Sequence, residues 1–259
     1  MRFKKYLSYT AGSVLFLLTA CTSGPTFYSD SYLAGVGEKQ FSQMKAQIPI
    51  SNDAHFINQL ERVARPIARQ VSHRLPNANW EFIVFDTDDL NAFAMPGGKV
   101  GVFRGLLELM ESDDELAAVI GHEVAHVLLD HSNERMSAEA LRGIGGIIAT
   151  VGTKNMERDD RAKVMTAYAV GTQLGIMLPY SRYQETDADR EGLILAAKAG
   201  FDPRAAITFW QKMKAASHSN TPEFLSTHPS HGKRIEKLRQ MMPEAMRIYM
   251  VTKPQEPKM

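Results

Sequence analysis

From Asp53 to about Arg74 the apolar residues Phe56, Leu60, Val63, Ile67 and Val71 recur at helical spacing. That predicts an amphipathic packing helix, with His55 and His73 near its ends in solvent. Two short runs rich in apolar and aromatic residues, Trp80 to Phe85 and Lys99 to Phe103, predict strands. Between them stands Asn91-Ala92-Phe93-Ala94-Met95-Pro96-Gly97-Gly98, whose Pro-Gly-Gly ending demands a turn and predicts a hairpin or edge strand. A short helix is expected over Gly105 to Met110. From Asp113 onward Leu116, Val119, Ile120, Val124, Val127 and Leu128 cover nearly every side of one helix, so that helix is predicted to be buried. Ser112 with Glu115 three residues later reads as a capping box, and acids at 113 to 115 suit the positive end of the helix dipole.

Further along, residues 143 to 152 form an apolar, glycine-rich patch too short for a membrane span. A glycine-softened core helix is expected there; a flexible segment over the site and a membrane-facing contact are the alternatives. Residues 160 to 178 return to a helical pattern that ends before Pro179. A helix from about Tyr183 to Ala199 stops at Gly200, and Asp202-Pro203 opens another with Ile207, Trp210 and Met213 on one face. A final helix follows Ile235, and the tail after Met250 is expected to be unstructured. The fold class that results is α+β, mainly helical, with a small β-sheet.

Composition changes this picture at one end only. The 259-residue chain is 44% hydrophobic with a formal net charge of +1, as a globular protein would be, and it lacks the basic footprint of a nucleic-acid binder. Met1 to Ser8 carries Arg2, Lys4 and Lys5, and Ala11 to Leu18 is apolar, the layout of a secretory signal. Leu18-Thr19-Ala20-Cys21 resembles the bacterial lipobox, in which the chain is cut before a cysteine that is then lipidated. Cys21 is the single cysteine of the chain, so an intrachain disulfide is excluded and an anchor is expected there. Thr22, where an aspartate would signal retention, favours the outer membrane by resemblance to enterobacterial sorting. The expected organisation is a signal peptide over 1–20, lipidated cysteine and tether over 21–50 (most tether-like in composition over 22–40), a folded domain over 51–245 and a flexible tail over 246–259.

The chemistry centres on His122-Glu123-Val124-Ala125-His126. On a helix two histidines four apart stand one above the other and can grip one metal ion, while Glu123, about 100° round, can serve as general base without being a ligand. Catalytic zinc takes three protein ligands and keeps one position open. His131 is about 140° beyond His126 on a continuing helix and is expected to be structural. Glu185 and Asp189, four apart, share a face, so one can bind metal while the other orients a histidine. An exposed acidic helix start that also includes Asp187 and Glu191 is the other reading of that segment.

Together, His122 to His126, then Glu185-Thr186-Asp187-Ala188-Asp189 with Tyr183 and Arg182 before it, then Ser226-Thr227-His228-Pro229 with Arg234 downstream, resemble the gluzincin family that includes the CAAX prenyl proteases and HtpX. With the lipobox and the Asn91 to Gly98 segment, the likeness extends to the periplasmic lipoprotein branch of BepA, LoiP and YcaL, YcaL most of all. The resemblance implies a zincin-type metalloprotease domain holding one Zn²⁺ on His122, His126 and Glu185, with Glu123 and Asp189 in catalysis. It also implies that His228, Arg234 or Tyr183 contacts the metal or a substrate oxyanion. By their own pattern Asn91, Ala92, Phe93 and Ala94 form either a substrate-binding edge strand, to which an extended peptide adds, or a plain structural hairpin. The expected activity is endopeptidase action on misfolded or stalled envelope proteins. The expected partners are those substrates, the membrane through its lipid anchor and the outer-membrane assembly machinery, with no nucleic acid. The alternatives are a proteolytically latent chaperone or binding factor in which His228 fills the open position, and, more weakly, a zinc hydrolase of a non-peptide substrate.

Overall fold

The strands carry their bulk on alternate residues, and that alternation sets the layers. In the computed structural model, which describes residues 24–152, 154, 158, 161–162, 178–216, 224–225, 228 and 233–253, β1 (Glu81–Phe85), β2 (Ala92–Met95) and β3 (Lys99–Phe103) form one sheet in the order β1-β3-β2. β1 runs parallel to β3, and β2 pairs antiparallel with β3 across the Pro96-Gly97-Gly98 turn. Gly97 and Gly98 have φ of 88° and 85°, a region that side chains with a Cβ rarely adopt. The expected strands and hairpin are therefore present, with β2 as an outer strand.

One face of the sheet presents Phe85, Phe93, Met95 and Phe103. Covering them is α1 (Asp30–Gln47), whose Phe41 is fully buried with its ring 6.2 Å from Phe85 and 6.1 Å from Phe93. Lys99 on this face is 3% exposed and is neutralised by Glu38 of α1 at 2.9 Å and by Glu81 at 3.2 Å. This corrects the reading of 22–40 as tether: residues 30–40 are helical and packed. Leu33, Gly37 and Phe41 are the buried positions of α1, a stripe too sparse to stand out in sequence, and the need for it comes from the aromatic face it covers.

The opposite face, with Val84, Ala92, Val100 and Val102, joins the main core. There α2 (Ala54–Val71) and α4 (Asp113–Leu128) pack, α3 (Arg104–Leu109) leading into the latter. Ser112 Oγ accepts from Glu115 N at 3.2 Å, while Glu115 reaches back to Glu111 N at 2.8 Å, so the cap forms with its return bond one residue earlier than expected. α4 is buried along nearly its whole length, lying against α6 (Leu178–Lys198). The two backbones meet at Gly121 and Gly192: a Cβ on Gly121 would stand 2.6 Å from Gly192 O, and one on Gly192 would stand 2.7 Å from His122 N. α7 (Ala205–Ala216) and α8 (Arg234–Thr252) close the bundle. Gly200, at φ 89°, ends α6 as expected, with Phe201 N donating to Ala196 O at 3.0 Å.

Two further expectations are corrected. The chain beyond residue 245 remains helical to Thr252, where Thr252 Oγ1 donates to Ile248 O at 3.1 Å. The sequence of this stretch carries no start or stop signal that distinguishes it from a tail; packing of Ala245 and Ile248 onto the core sustains it. Residues 143–152 belong to α5 (His131–Gly152), but Ile144, Ile147 and Val151 are not core, being 54%, 66% and 58% exposed. Both stretches were read from local composition, whereas tertiary contact decides whether an apolar helix face is covered. His55 and His73 are exposed, as expected. Cys21, the signal segment, most of the 160–178 pattern, and Ser226, Thr227 and Pro229 lie outside the described residues. No described helix is long and apolar enough to cross a membrane.

The glycine contact generates a prediction. Gly192→Ala should cost about 2 kcal/mol in urea unfolding, through overpacking against the backbone of His122. It should weaken metal binding in step, because the atom it pushes belongs to a ligand residue.

Candidate metal centre

α4 delivers His122, Glu123 and His126 from consecutive turns, α6 delivers Glu185 and Asp189, and the segment before α8 delivers His228. His228 is held by its own N–H to Phe224 O at 2.8 Å, and Phe224 N in turn donates to Leu90 O at 3.1 Å, next to the β2 strand. One ligand atom from each of His122, His126, Glu185 and His228 lies within 4.8 Å of all the others, and all four residues are buried. The close pairs are His122 Nε2 to His126 Nε2 at 3.1 Å, His122 Nε2 to His228 Nδ1 at 3.3 Å, His126 Nε2 to Glu185 Oε1 at 3.4 Å and His228 Nδ1 to Glu185 Oε1 at 3.0 Å.

These separations test whether a metal fits. Zinc bonds of about 2.0–2.1 Å put tetrahedral ligand atoms about 3.3 Å apart. Four of the six donor pairs observed here have that spacing, and all six lie within 4.8 Å. The donor set, three imidazoles and a carboxylate, suits Zn²⁺.

The groups behind the donors fix their orientation. Asp189 Oδ1 lies 3.1 Å from His122 Nδ1, the nitrogen turned away from the cluster. Arg234, at the start of α8, donates from Nη2 to Asp189 at 2.6 Å and from Nη1 to Glu185 Oε2 at 3.0 Å, with its guanidinium 3.6 Å above the Trp210 ring. Arg234 therefore holds the two α6 carboxylates. Tyr183 lies on α6 at 37% exposure, outside this buried group. Glu123 is buried beside the cluster; its Oε1 has no hydrogen-bond partner among the described residues and lies 3.3 Å from His228 Nε2. Asn91 to Ala94 lie in and beside β2, which packs against α4.

His131 is where the sequence reasoning went astray. It does not face away: its Nδ1 lies 2.9 Å from His126 Nδ1, and it is 2% exposed. The helix does not continue past Leu128. Asp130 adopts φ 59°, a left-handed conformation that breaks α4, and the chain turns His131 back onto His126. Asp130 immediately before a histidine was the available signal. Gln184, also missed, donates to Glu134 Oε2 at 2.8 Å and so ties α6 to α5 one residue from Glu185.

Electrostatics follow the same geometry. Burial pulls His122 down, but hydrogen bonds with Asp189 and Glu185 outweigh it and raise the imidazole to about 9. Burial drives His126 well below its ordinary value and takes His131 to about 4. Glu185 would be raised by burial, but its contacts with three imidazoles hold it far below the usual carboxylate range. Asp189 is likewise buried and likewise held down, chiefly by Arg234.

Such donors on a mainly helical α+β domain define the zincin class of metallopeptidase. The sequence profile of Peptidase family M48 matches residues 55–242, and the chain belongs to that family, whose peptidases depend on zinc. It is 42% identical over 178 residues to the mitochondrial metalloendopeptidase OMA1 of Bos taurus, a match covering 66% of this chain and 34% of that protein. It is similar to the beta-barrel assembly-enhancing proteases of Yersinia pestis, at 31% identity over 227 residues (84% of this chain, 45% of the relative), and of Escherichia coli, at 28% over 213 (79% and 42%). The chain thus spans less than half the length of these curated relatives.

Two outcomes are expected from the geometry. His131→Phe, which removes the acceptor for His126 Nδ1–H, should weaken zinc binding about 10- to 100-fold in competition with a chromophoric chelator, and His131→Gln should restore much of it. Zinc should also displace the proton on His122. Because that imidazole is protonated below about 9 in the metal-free protein, calorimetry at pH 7.5 in buffers of different ionisation enthalpy should show about one proton released per zinc, and affinity should fall as pH is lowered.

Proposed function

We propose that this protein is a zinc-dependent endopeptidase of the bacterial envelope, anchored through a lipid on Cys21 in the outer membrane and facing the periplasm. The observation that carries the peptidase reading is the buried Glu123, whose Oε1 accepts no hydrogen bond among the described residues and lies 3.3 Å from His228 Nε2, beside a cluster of four donors able to hold zinc. His122, His126 and Glu185 would hold the ion. Bound there, Zn²⁺ supplies Lewis acidity, acidifying water and polarising a scissile carbonyl. Glu123 accepts the proton of the attacking water and delivers it to the leaving amine. Asp189 keeps the Nδ1 proton on His122 so that its Nε2 faces the cluster, and Arg234 fixes both α6 carboxylates. A substrate in extended form adds to β2, whose outer edge flanks α4.

The lipoprotein reading rests on the Leu18 to Cys21 motif and favours the BepA, LoiP and YcaL branch. The substrate reading, unfolded or misassembled envelope proteins including outer-membrane β-barrels, is supported by the likeness to proteases named for β-barrel assembly. The assembly machinery of that membrane is the natural partner on the same ground.

A second reading, a latent chaperone or binding factor, is favoured by one observation. His228 Nδ1 stands 3.0 Å from Glu185 Oε1 and 3.3 Å from His122 Nε2, inside the donor cluster rather than beside it. In that state His228 would complete a closed four-ligand site.

Cleavage of casein by the purified protein separates the two readings. Glu123→Gln should retain zinc and lose cleavage by at least a hundredfold, whereas His228→Ala should raise it if His228 blocks the site. Undiminished cleavage by Glu123→Gln would sink the mechanism, and zinc-loaded protein inactive in both the wild-type and His228→Ala forms would favour the binding factor.

A further inference from the structure

α5 carries an apolar face that no described residue covers. Leu141, Ile144, Ile147 and Val151 are 43%, 54%, 66% and 58% exposed. At 100° per residue they fall within one sector of the helix. The far side carries Glu139 and Arg142, the latter donating from Nε to Glu139 at 3.0 Å, together with Thr150. The second half of the helix is therefore amphipathic with its apolar side in solvent, although the first half of the same face is buried.

What occupies the same face one turn earlier identifies the neighbour. Asn133, Glu134 and Ser137 continue the line of Leu141 and Ile144 toward the start of α5, and the chain's N-terminal stretch runs along them. Gly24 N donates to Glu134 Oε1 at 2.8 Å, Phe27 N to Ser137 Oγ at 2.9 Å and Tyr28 N to Asn133 Oδ1 at 3.2 Å. Cys21 is three residues before Gly24, so their Cα atoms are at most about 11 Å apart. Leu141 is seven residues, about 10 Å of helix, beyond Glu134. Phe27 and Tyr32, on the same N-terminal stretch, are 55% and 53% exposed. Aromatic side chains are favoured where a protein meets the headgroup region.

We infer that the apolar face of α5 lies in the headgroup boundary of the membrane to which Cys21 is anchored, with Leu141, Ile144, Ile147 and Val151 turned toward the acyl chains. The inference rests on the lipid-anchor reading and extends it: the anchor and α5 form one continuous membrane-contacting surface. The acyl chains on Cys21 would hold the protein at the membrane without fixing its orientation, and an in-plane amphipathic helix supplies that orientation.

The test uses the full lipidated chain in vesicles of phosphatidylethanolamine and phosphatidylglycerol. Cys21 carrying a diacylglyceryl group is a thioether, so a cysteine introduced as Ile147→Cys is the one free thiol and takes a nitrobenzoxadiazole probe. Val151→Cys is a second apolar-face site, and Glu139→Cys is the polar-face control. The expected result is blue-shifted emission at 147 and 151, with quenching by nitroxide lipids at least twofold stronger than at 139. Equal, water-like probes at all three sites, in protein whose mass shows the lipid on Cys21, would overturn the placement and leave the anchor standing. Probes that become dry only when an unfolded protein is added would overturn it in favour of a client-binding face. An unmodified Cys21 would remove the anchor reading and this placement together.

Discussion

Four side chains able to ligate a metal converge at the centre of this protein, close enough to share one cation. His122, His126, His228 and Glu185 are buried, with ligand atoms within 4.8 Å of one another. Burying that much polarity without a cation would be costly. Four of the six separations match the edges of a tetrahedron around an ion of zinc's size. The surrounding architecture serves this constraint. α4 and α6 approach closely enough at Gly121 and Gly192 for ligands from two helices to meet. Arg234, stacked on Trp210 and bonded to Asp189 and Glu185, brings α8 into the same arrangement.

The histidines differ in what stands behind them. His122 is backed by the Asp189 carboxylate, which with Glu185 outweighs burial and raises it, whereas His126 is backed by the His131 imidazole, which burial pushes down. An anionic partner raises the basicity of a ligand more than a neutral one does. The two ligands of a single motif are thus made chemically unequal by residues outside it.

The sheet and α1 matter for what lies beside the metal. β2 is an outer strand fixed on one side by β3, with Phe93 and Met95 under α1 and Ala92 and Ala94 toward α4. Glu38 and Glu81 neutralise Lys99 at the turn end of β3, so α1 is joined to the sheet by charge as well as by packing. On the other flank, Glu134 accepts from both Gly24 and Gln184, linking the incoming N-terminal chain to the residue next to Glu185.

Much of this was already determined by the sequence. Local rules suffice where the signal is local: Ser112 and Glu115 start α4, two histidines four apart share a face, and Pro96-Gly97-Gly98 turns the hairpin. The pairing of Glu185 with Asp189 was legible as a shared face, but not which role each takes, since that depends on Arg234 and His122 arriving from elsewhere in the chain. Other features were decided by tertiary structure alone. α1 is a packed helix because an aromatic sheet face needs a cover, the end of α8 persists because Ala245 and Ile248 find the core, and the apolar patch of α5 stays exposed because no described element reaches it. His131 turns on a single left-handed residue, Asp130, that redirects the chain after α4. Helical periodicity extrapolates a side chain's direction only as far as the helix runs, and beyond that point long-range packing sets it.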